Sequence, residues 1–222
     1  VASRLRHDTA VVFNGDVLCG TDLGAVVRTH RETSADATLH LVRVPDPRAF
    51  GCVPTDASGQ VLAFLEKTED PPTDQINAGC YVFRRSVIDS IPTGRPVSVE
   101  RETFPGLLKA GARVSGHVDN DYWRDMGRPS DLVHGSAGLV RGGAPPAGRP
   151  GPTGEALVLN GAEIADDALV FGGSTVGRGV TIGTGARVDG SMLFDGAVIA
   201  PGAVVEQSVV GAGARIEEGA TL

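Results

Sequence analysis

Four short stretches of the chain carry side chains able to do chemistry. Residues 11–16 read VVFNGD, an apolar run that stops at Asn14-Gly15 and delivers Asp16. An Asn-Gly pair usually marks a hairpin turn. It can also end a buried parallel strand, and ligands collect outside the carboxyl ends of such strands. Asp16 is therefore either a solvated turn residue or a carboxylate presented to a cleft, and the spacing alone favours the turn. Residues 122–131, YWRDMGRPSD, set Asp125 two positions after Trp123, the single tryptophan of the chain. Trp123 suits core packing or a domain seam. Asp125 either pairs with Arg124 or Arg128 at the surface or joins Asp16 on one Mg²⁺, an ion that prefers carboxylates together with substrate phosphates. In FLEKTED, residues 64–70, Glu66 and Lys67 close a strand-like run. They form either a solvated charge pair of little energetic weight or a hydroxyl acceptor beside a point-charge phosphate donor. INAGCYVF, residues 76–83, adds the amide of Asn77 and, at Gly79, room for a close backbone approach.

The elements that must position these groups fall into two regimes. Over the first 140 residues strand-like and helix-like segments alternate. The pattern predicts strands at 11–13, 37–44, 51–54, 61–65, 76–83 and 113–118, with the first of them buried. Helices are predicted from an Asp22 cap to about His30, near 86–90, over 99–110, and from Pro129 to Val140, where proline suits the first turn. This alternation implies an α/β domain with a mixed, mostly parallel sheet. Residues 141–156, RGGAPPAGRPGPTGEA, lose all periodicity and read as a Pro/Gly-rich linker. Beyond it Ile164, Val170, Val176, Ile182, Val188 and Phe194 recur every six residues. After a shortened interval Val204, Val210, Ile216 and Leu222 resume the series, with glycine and small residues between. Such a period over 157–222 is the signature of a parallel β-helix, each aliphatic stacking on its equivalent in the next coil. The pattern still runs at Leu222 and Val1 is not a methionine, so the reading expects a fragment of a longer protein.

Composition narrows the function. A net charge of −7 argues against nucleic-acid binding, which calls for clustered Lys and Arg. No apolar stretch approaches the ~18 residues a membrane span needs, and no signal peptide precedes the first strand, so a cytoplasmic location is expected. Hydrophobic residues make up 41% but aromatics only 5%, so the core must be built from Val, Leu, Ile and Ala. Cys19, Cys52 and Cys80 are odd in number and widely spaced, which suggests buried free thiols rather than disulfides or a zinc site.

Taken in order, NGD, FGCV, FLEK, INAGCYVF, SVERETFP and YWRDMGRPSD resemble the sugar-1-phosphate nucleotidylyltransferases and their left-handed β-helix, most of all the mannose-1-phosphate guanylyltransferases. That resemblance implies a GT-A-like fold for 1–140 and Mg²⁺-dependent transfer from a nucleoside triphosphate, GTP by preference, to mannose 1-phosphate. It places Mg²⁺ on Asp16 and Asp125, the sugar phosphate on Glu66 and Lys67, and Gly51, Asn77, Gly79 and Trp123 around the sugar. Thr68 stands where the family usually has proline. The Gly-rich phosphate loop G-G-x-G-T-R-L-x-P and the later L-G-T-A/G-G segment are absent, so this stretch alone is expected not to turn over. Homo-oligomerisation through the β-helix is a further expectation of the resemblance. Close alternatives are a glucose-1-phosphate thymidylyl- or uridylyltransferase and a regulatory subunit that binds nucleotide sugar without catalysis. A hexapeptide-repeat acyltransferase is disfavoured because all five histidines lie at or before His134, away from the solenoid.

Overall fold

The structure, a computed structural model, describes residues 5–142 and 155–222, so most of the 141–156 connector lies outside the described residues. It divides into two compact units: residues up to Val17 with Thr21–Trp123, and Leu18–Gly20 with Arg124–Leu222. In chain order the elements are β1 (Thr9–Phe13), β2 (Val17–Cys19), α1 (Leu23–Glu32), β3 (Ala37–Arg43), β4 (Gly51–Cys52), β5 (Leu65–Glu66) and β6 (Gln75–Arg84). Then come α2 (Arg85–Ser90), a π-helical turn over Val99–Thr103, α3 (Phe104–Lys109), β7 (Val114–Asp119), β8 (Trp123–Asp125), α4 (Pro129–Val140) and the short solenoid strands.

The first unit is a mixed sheet in the order β5-β4-β6-β3-β7. Its spine is β6, buried along nearly its whole length. β3 lies antiparallel along one edge of β6, while β4 and β1, also antiparallel, share the other. β7 runs parallel to β3. Both β3 and β6 are buried at every position but their last, as expected of strands covered on both faces. Leu39, Tyr81, Phe83 and Phe104 are nearly inaccessible and share one core with Val53, Val61 and Val114.

Two expectations need correction. β1 is not buried: Val11, Val12 and Phe13 are 42, 40 and 47% exposed, because among the described residues only one edge of β1 is paired. Nor do residues 61–65 form one strand. Asp56 accepts from the backbone of Ser58 and Gln60 at 2.9 Å each, and this turn spends Val61 on an isolated bridge to Thr55. Only Leu65 enters β5.

α1 starts as predicted, with Asp22 accepting from Gly24 N–H at 2.8 Å. Its fastening to the sheet is unusually polar. His30 Nδ1 bonds Thr38 Oγ1 (2.9 Å), Thr29 Oγ1 bonds His117 Nδ1 (2.8 Å), and Thr21 donates to Asp119 (2.5 Å). His40 is fully buried, with Nε2 2.9 Å from Asp119 Oδ2. Burial raises the Asp119 carboxyl, but Thr21 and His40 together hold it below the usual carboxylate range. Burial also pushes His30 and His117 below the ordinary histidine value.

In the second unit, β2 pairs with β8 in a two-stranded ribbon whose larger part belongs here. α4 packs on the first coil of a parallel β-solenoid: Ser136 and Thr175 share a hydroxyl bond of 2.8 Å. A Cβ at Gly173 would lie 2.8 Å from the Ala137 Cβ, so glycine lets the helix approach. Three parallel sheets stack Ile164/Ile182/Ile199/Ile216, Val170/Val188/Val205 and Val176/Leu193/Val210. The register differs from the predicted series at two places. Leu193 and Val205 are inside, whereas the predicted Phe194 is 43% exposed and Val204 half-buried.

Serines account for the shift. Each later coil contains one five-residue step, from Val188 to Leu193 and from Val205 to Val210, and a serine sits at that corner. Ser191 N–H donates to Ser174 Oγ at 3.0 Å, and Ser208 N–H to Ser191 Oγ at 3.1 Å, each link joining residues 17 apart. Ser191 Oγ in turn donates to Asp189 O at 2.9 Å, so the buried polar corner is satisfied.

Two outcomes follow from these features. Ser191→Ala leaves the part-buried Ser208 N–H without its acceptor and should cost about 1 kcal/mol, measurable by urea unfolding of the solenoid signal. His30 and His117 are held neutral in the fold with depressed pKa values, so the unfolded chain takes up protons first. Their contribution is complete above the unfolded histidine value of about 6.5 and is lost as pH falls through their lower folded values. Tm should therefore hold steady from pH 8 to 7 and decline below about 6.5, with His117→Gln flattening that decline.

Candidate functional site

One hydrogen-bonded cluster in the first unit gathers most of the residues singled out in the sequence. Its centre is Asn77, on the buried spine β6 and only 8% exposed. The Asn77 amide donates to Tyr81 Oη at 2.7 Å and to Glu100 Oε1 at 2.9 Å, while its Oδ1 accepts from Gly79 N–H at 3.2 Å. This pattern fixes the amide orientation, since a flip would set oxygen against the Glu100 carboxylate. Tyr81 also bonds the Asn14 side chain, and Asn14 N–H donates to Gly79 O at 2.8 Å. The Asn14-Gly15 pair is thereby pinned to the middle of β6, and Asp16 follows from a fixed base. Burial raises the Tyr81 phenol to about 12, so it stays a neutral hydrogen-bonding group.

Glycines make the close approaches. Gly79 has φ +76°, and a Cβ there would meet Asn14 at 3.0 Å. A Cβ at Gly51 would lie 2.9 Å from the Phe64 ring and 3.1 Å from Glu66 Oε2. Gly51 pairs with Glu66 across the β4–β5 ladder, which sets the carboxylate beside the glycine. Lys67 comes next with φ +50°, one of three described non-glycine residues in the left-handed region, and its N–H donates to Phe50 O at 3.1 Å. That conformation costs roughly 1–2 kcal/mol for an L-residue and persists because the surrounding chain over-determines it.

Glu100 is the member the sequence reading did not single out. It lies in the π-helical turn, where Ser98 Oγ accepts from Arg101 N–H at 3.2 Å. Directly after that turn Phe104 is buried against Tyr81, Phe83 and Phe64, at ring separations of 5.2–5.8 Å. The aromatic stack thus anchors the turn that presents Glu100. Burial first, and the nearby Glu66 carboxylate second, push the Glu100 carboxyl above its ordinary value; Asn77, Lys67 and Arg101 oppose them. The available signal was the SVERETFP motif itself, whose two other glutamate and arginine positions obscured which one turns inward.

The remaining predicted residues stand as follows. Trp123 braces the cluster from behind: its indole N–H donates to Ala78 O at 3.0 Å, and its ring meets Phe50 edge-on at 5.4 Å. Asp16 is exposed, with no hydrogen bond or ion pair among the described residues. Asp125 is half-buried in β8 and belongs to the second unit. There Arg128 pairs with Asp131 at 3.1 Å and Arg124 approaches the same carboxylate at 3.6 Å. Cys52 and Cys80 are buried free thiols and Cys19 is half-buried. No described helix is long and apolar enough to cross a membrane.

Comparison with known proteins matches the Nucleotidyl transferase family over residues 2–141 and the GMPPB C-terminal domain over residues 153–222. Mannose-1-phosphate guanylyltransferase of Mycobacterium tuberculosis is 64% identical over 179 residues, which cover 80% of this chain and 50% of that protein. Mannose-1-phosphate guanylyltransferase catalytic subunit beta of Xenopus tropicalis is 33% identical, covering 59% and 36%. UTP--glucose-1-phosphate uridylyltransferase of Synechocystis is 36% identical, covering 60% and 35%. The chain spans about half the length, or less, of the curated relatives it matches. The crystal structure of HddC from Yersinia pseudotuberculosis shares the fold, with a TM-score of 0.52 at 24% identity over 60% of this chain and 56% of that one.

Gly79→Ala tests the close approach at the centre of the cluster. The substitution forces a left-handed backbone on alanine and a side chain against Asn14, so a loss of about 1–3 kcal/mol is expected. Differential scanning calorimetry should find it, whereas Gly94→Ala, where a Cβ meets open space but φ is also positive, isolates the backbone share.

Proposed function

Since the chain belongs to the nucleotidyl transferase family, we propose that its cluster takes a sugar 1-phosphate for nucleotidyl transfer. A phosphate oxygen of the sugar 1-phosphate attacks the α-phosphorus of a nucleoside triphosphate. A new P–O bond forms, the α–β bridging bond breaks, and its electron pair leaves with pyrophosphate. The product is a nucleoside diphosphate sugar. The favoured pair is GTP with mannose 1-phosphate, giving GDP-mannose; the 64% identical Mycobacterium tuberculosis relative carries the guanylyltransferase name, while the uridylyltransferase relative stands at 36%.

The observation that carries this reading is the junction of three separate motifs around Asn77: NGD through Asn14, FLEK through the charges of Glu66 and Lys67 at Glu100, and SVERETFP through Glu100 itself. The phosphate nucleophile is already ionised near neutral pH, so the protein's task is positioning and charge neutralisation rather than proton abstraction. Lys67 offsets the sugar phosphate, Glu66 accepts sugar hydroxyls, and Gly51 and Gly79 line the pocket by letting Glu66 and Asn14 approach closely, with Trp123 backing it.

Asp16 and Asp125 are the proposed magnesium ligands. Asp16 fits that role by its exposed, hard oxygen donors, and Asp125 enters by the motif resemblance. Among the described residues no group of three or more ligating side chains is gathered; magnesium takes one or two carboxylates plus substrate phosphates. When bound, the ion supplies charge neutralisation to the two reacting phosphates. Self-association through the solenoid belongs to the same proposal, supported by exposed Leu169 and Phe194, as does a cytoplasmic setting, supported by the free thiols.

Pyrophosphate release by the full protein, measured with GTP plus mannose 1-phosphate and with UTP or dTTP plus glucose 1-phosphate, decides the substrate pair. Asp16→Asn should lower kcat about a hundred- to a thousandfold with the fold intact by circular dichroism. Turnover near wild type in that variant would falsify the assignment of Asp16.

A further inference from the structure

A second cleft of the first unit lies away from the Asn77 cluster. β1 and β6 are antiparallel, with Thr9 opposite Arg84, so the start of β1 meets the end of β6. Asn77 and Arg84 are seven residues apart on that strand, roughly 23 Å at about 3.3 Å per residue. At this far end the last turn of α1 and the beginning of α2 border a cleft of about 600 Å³. Asp8, His30, Arg31, Ser34, Arg84 and Arg85 stand in its wall. The volume is that of a small-molecule site.

The wall is rich in hydrogen-bond donors. Arg84 donates to Ser34 O at 2.7 Å and Ala35 O at 2.8 Å, while Arg85 donates to Leu5 O at 2.9 Å and Asp89 at 2.8 Å. A guanidinium has five N–H donors in a rigid fork, so these bonds orient both groups and leave donors over. Arg31 makes no hydrogen bond or ion pair among the described residues. His30 is only 4% exposed and spends Nδ1 on Thr38, which leaves Nε2 without a partner among the described residues. Burial first and the Arg84 charge second hold His30 below the usual histidine range; Arg31 adds to them and Asp36 opposes. The field of two guanidinium groups thus reaches a buried ring, and such a field stabilises a bound anion. Of the two carboxylates in the wall, Asp89 is taken by Arg85, whereas the Asp8 side chain has no partner among the described residues.

We propose that this cleft is a second ligand site, taking a small phosphorylated polyol with its phosphate on the guanidinium groups and a hydroxyl on Asp8. Phosphate offers acceptors only and matches the guanidinium fork bidentately. A role confined to clamping the backbone accounts for Arg84 and Arg85 but leaves Arg31 and the free nitrogen of His30 without a task. The site stands apart from the nucleotidyl-transfer reading, since none of the residues that reading uses lines the cleft.

The probe is glycerol 3-phosphate, titrated into the full protein and followed through the amide NMR signals of Ser34 and Ser86, both in the cleft wall. Saturable shifts of both signals are expected. R31Q should raise the dissociation constant about tenfold or more at unchanged Tm, because Arg31 has no partner in the fold to lose. K67A, which removes the cation proposed to hold phosphate in the Asn77 cluster, should leave it within about twofold. Methyl phosphate, which lacks hydroxyls, should bind more weakly, and glycerol should shift neither signal. Absence of shifts, shifts that survive R31Q undiminished, or shifts lost in K67A would each overturn the proposal. So would methyl phosphate or glycerol matching glycerol 3-phosphate.

Discussion

Both amide hydrogens of Asn77 are committed within the fold, and the arrangement of the first unit around them follows from that commitment. A buried amide without partners costs free energy of the order of 1–3 kcal/mol per unmet group, so its neighbours are constrained to supply them. Tyr81 must keep its hydroxyl beside position 77, four residues along β6. The turn carrying Glu100 must dock from 23 residues away. Gly79 must turn its N–H back toward Asn77, which it does with a positive φ. Asn14 completes the chain by occupying the space that a side chain at position 79 would fill. The network therefore ties the end of β1 to the centre of the sheet although β1 itself is largely exposed.

The solenoid rests on a different constraint. Its coils have few long-range side-chain bonds; each coil must repeat the height and phase of its neighbour so that aliphatics stack and backbone groups pair. Ile182, Val188 and Ile199 are essentially inaccessible, and the serine ladder meets the same demand where a coil is one residue shorter. A hydroxyl that both donates to its own coil and accepts from the next is a compact way to close such a corner without leaving a buried amide unmet. The stability of this unit is spread over equivalent interfaces, whereas that of the first unit is concentrated around Asn77 and the Phe104 stack.

Much of this was legible in the residues. The Asp22 cap, the strand at 76–83, the helix from Pro129 and the six-residue repeat all declare themselves locally, through capping chemistry, burial on both faces and periodicity. What escaped was non-local. The exposure of Val11–Phe13 depends on which strands flank β1, and no window of its own sequence records that. The break of residues 61–65 depends on the Asp56 side chain capturing two backbone groups upstream. The phase of the solenoid turned on one residue, Leu193 against Phe194, two neighbours of similar hydrophobicity; the serine at 191 and its partner at 174 carried the deciding information 17 residues apart. In the candidate site, Glu66, Lys67, Asn77, Gly79 and Gly51 were visible by motif and are gathered in one unit. Glu100 was hidden because SVERETFP contains two glutamates, and only the docked turn distinguishes the one facing Asn77.

The cluster also concentrates terms that oppose folding. Lys67 sits in the left-handed region, Glu66 and Glu100 repel, and Gly51 and Gly79 surrender side-chain burial and backbone entropy. Each is of the order of a kilocalorie, and a fold of ordinary stability tolerates them only beside a compensating source. That source adjoins the site: Tyr81, Phe83 and Phe104 are almost fully buried in one aromatic stack with Phe64, and each such side chain contributes about 1.5–3 kcal/mol by burial. Its placement matters as much as its size. Phe104 follows the turn that bears Glu100, and Tyr81 is itself a member of the hydrogen-bonded chain. The groups that stabilise the unit are thus the same ones that hold its charges in place, so a ligand meets there a site whose ordering cost has already been met by the core.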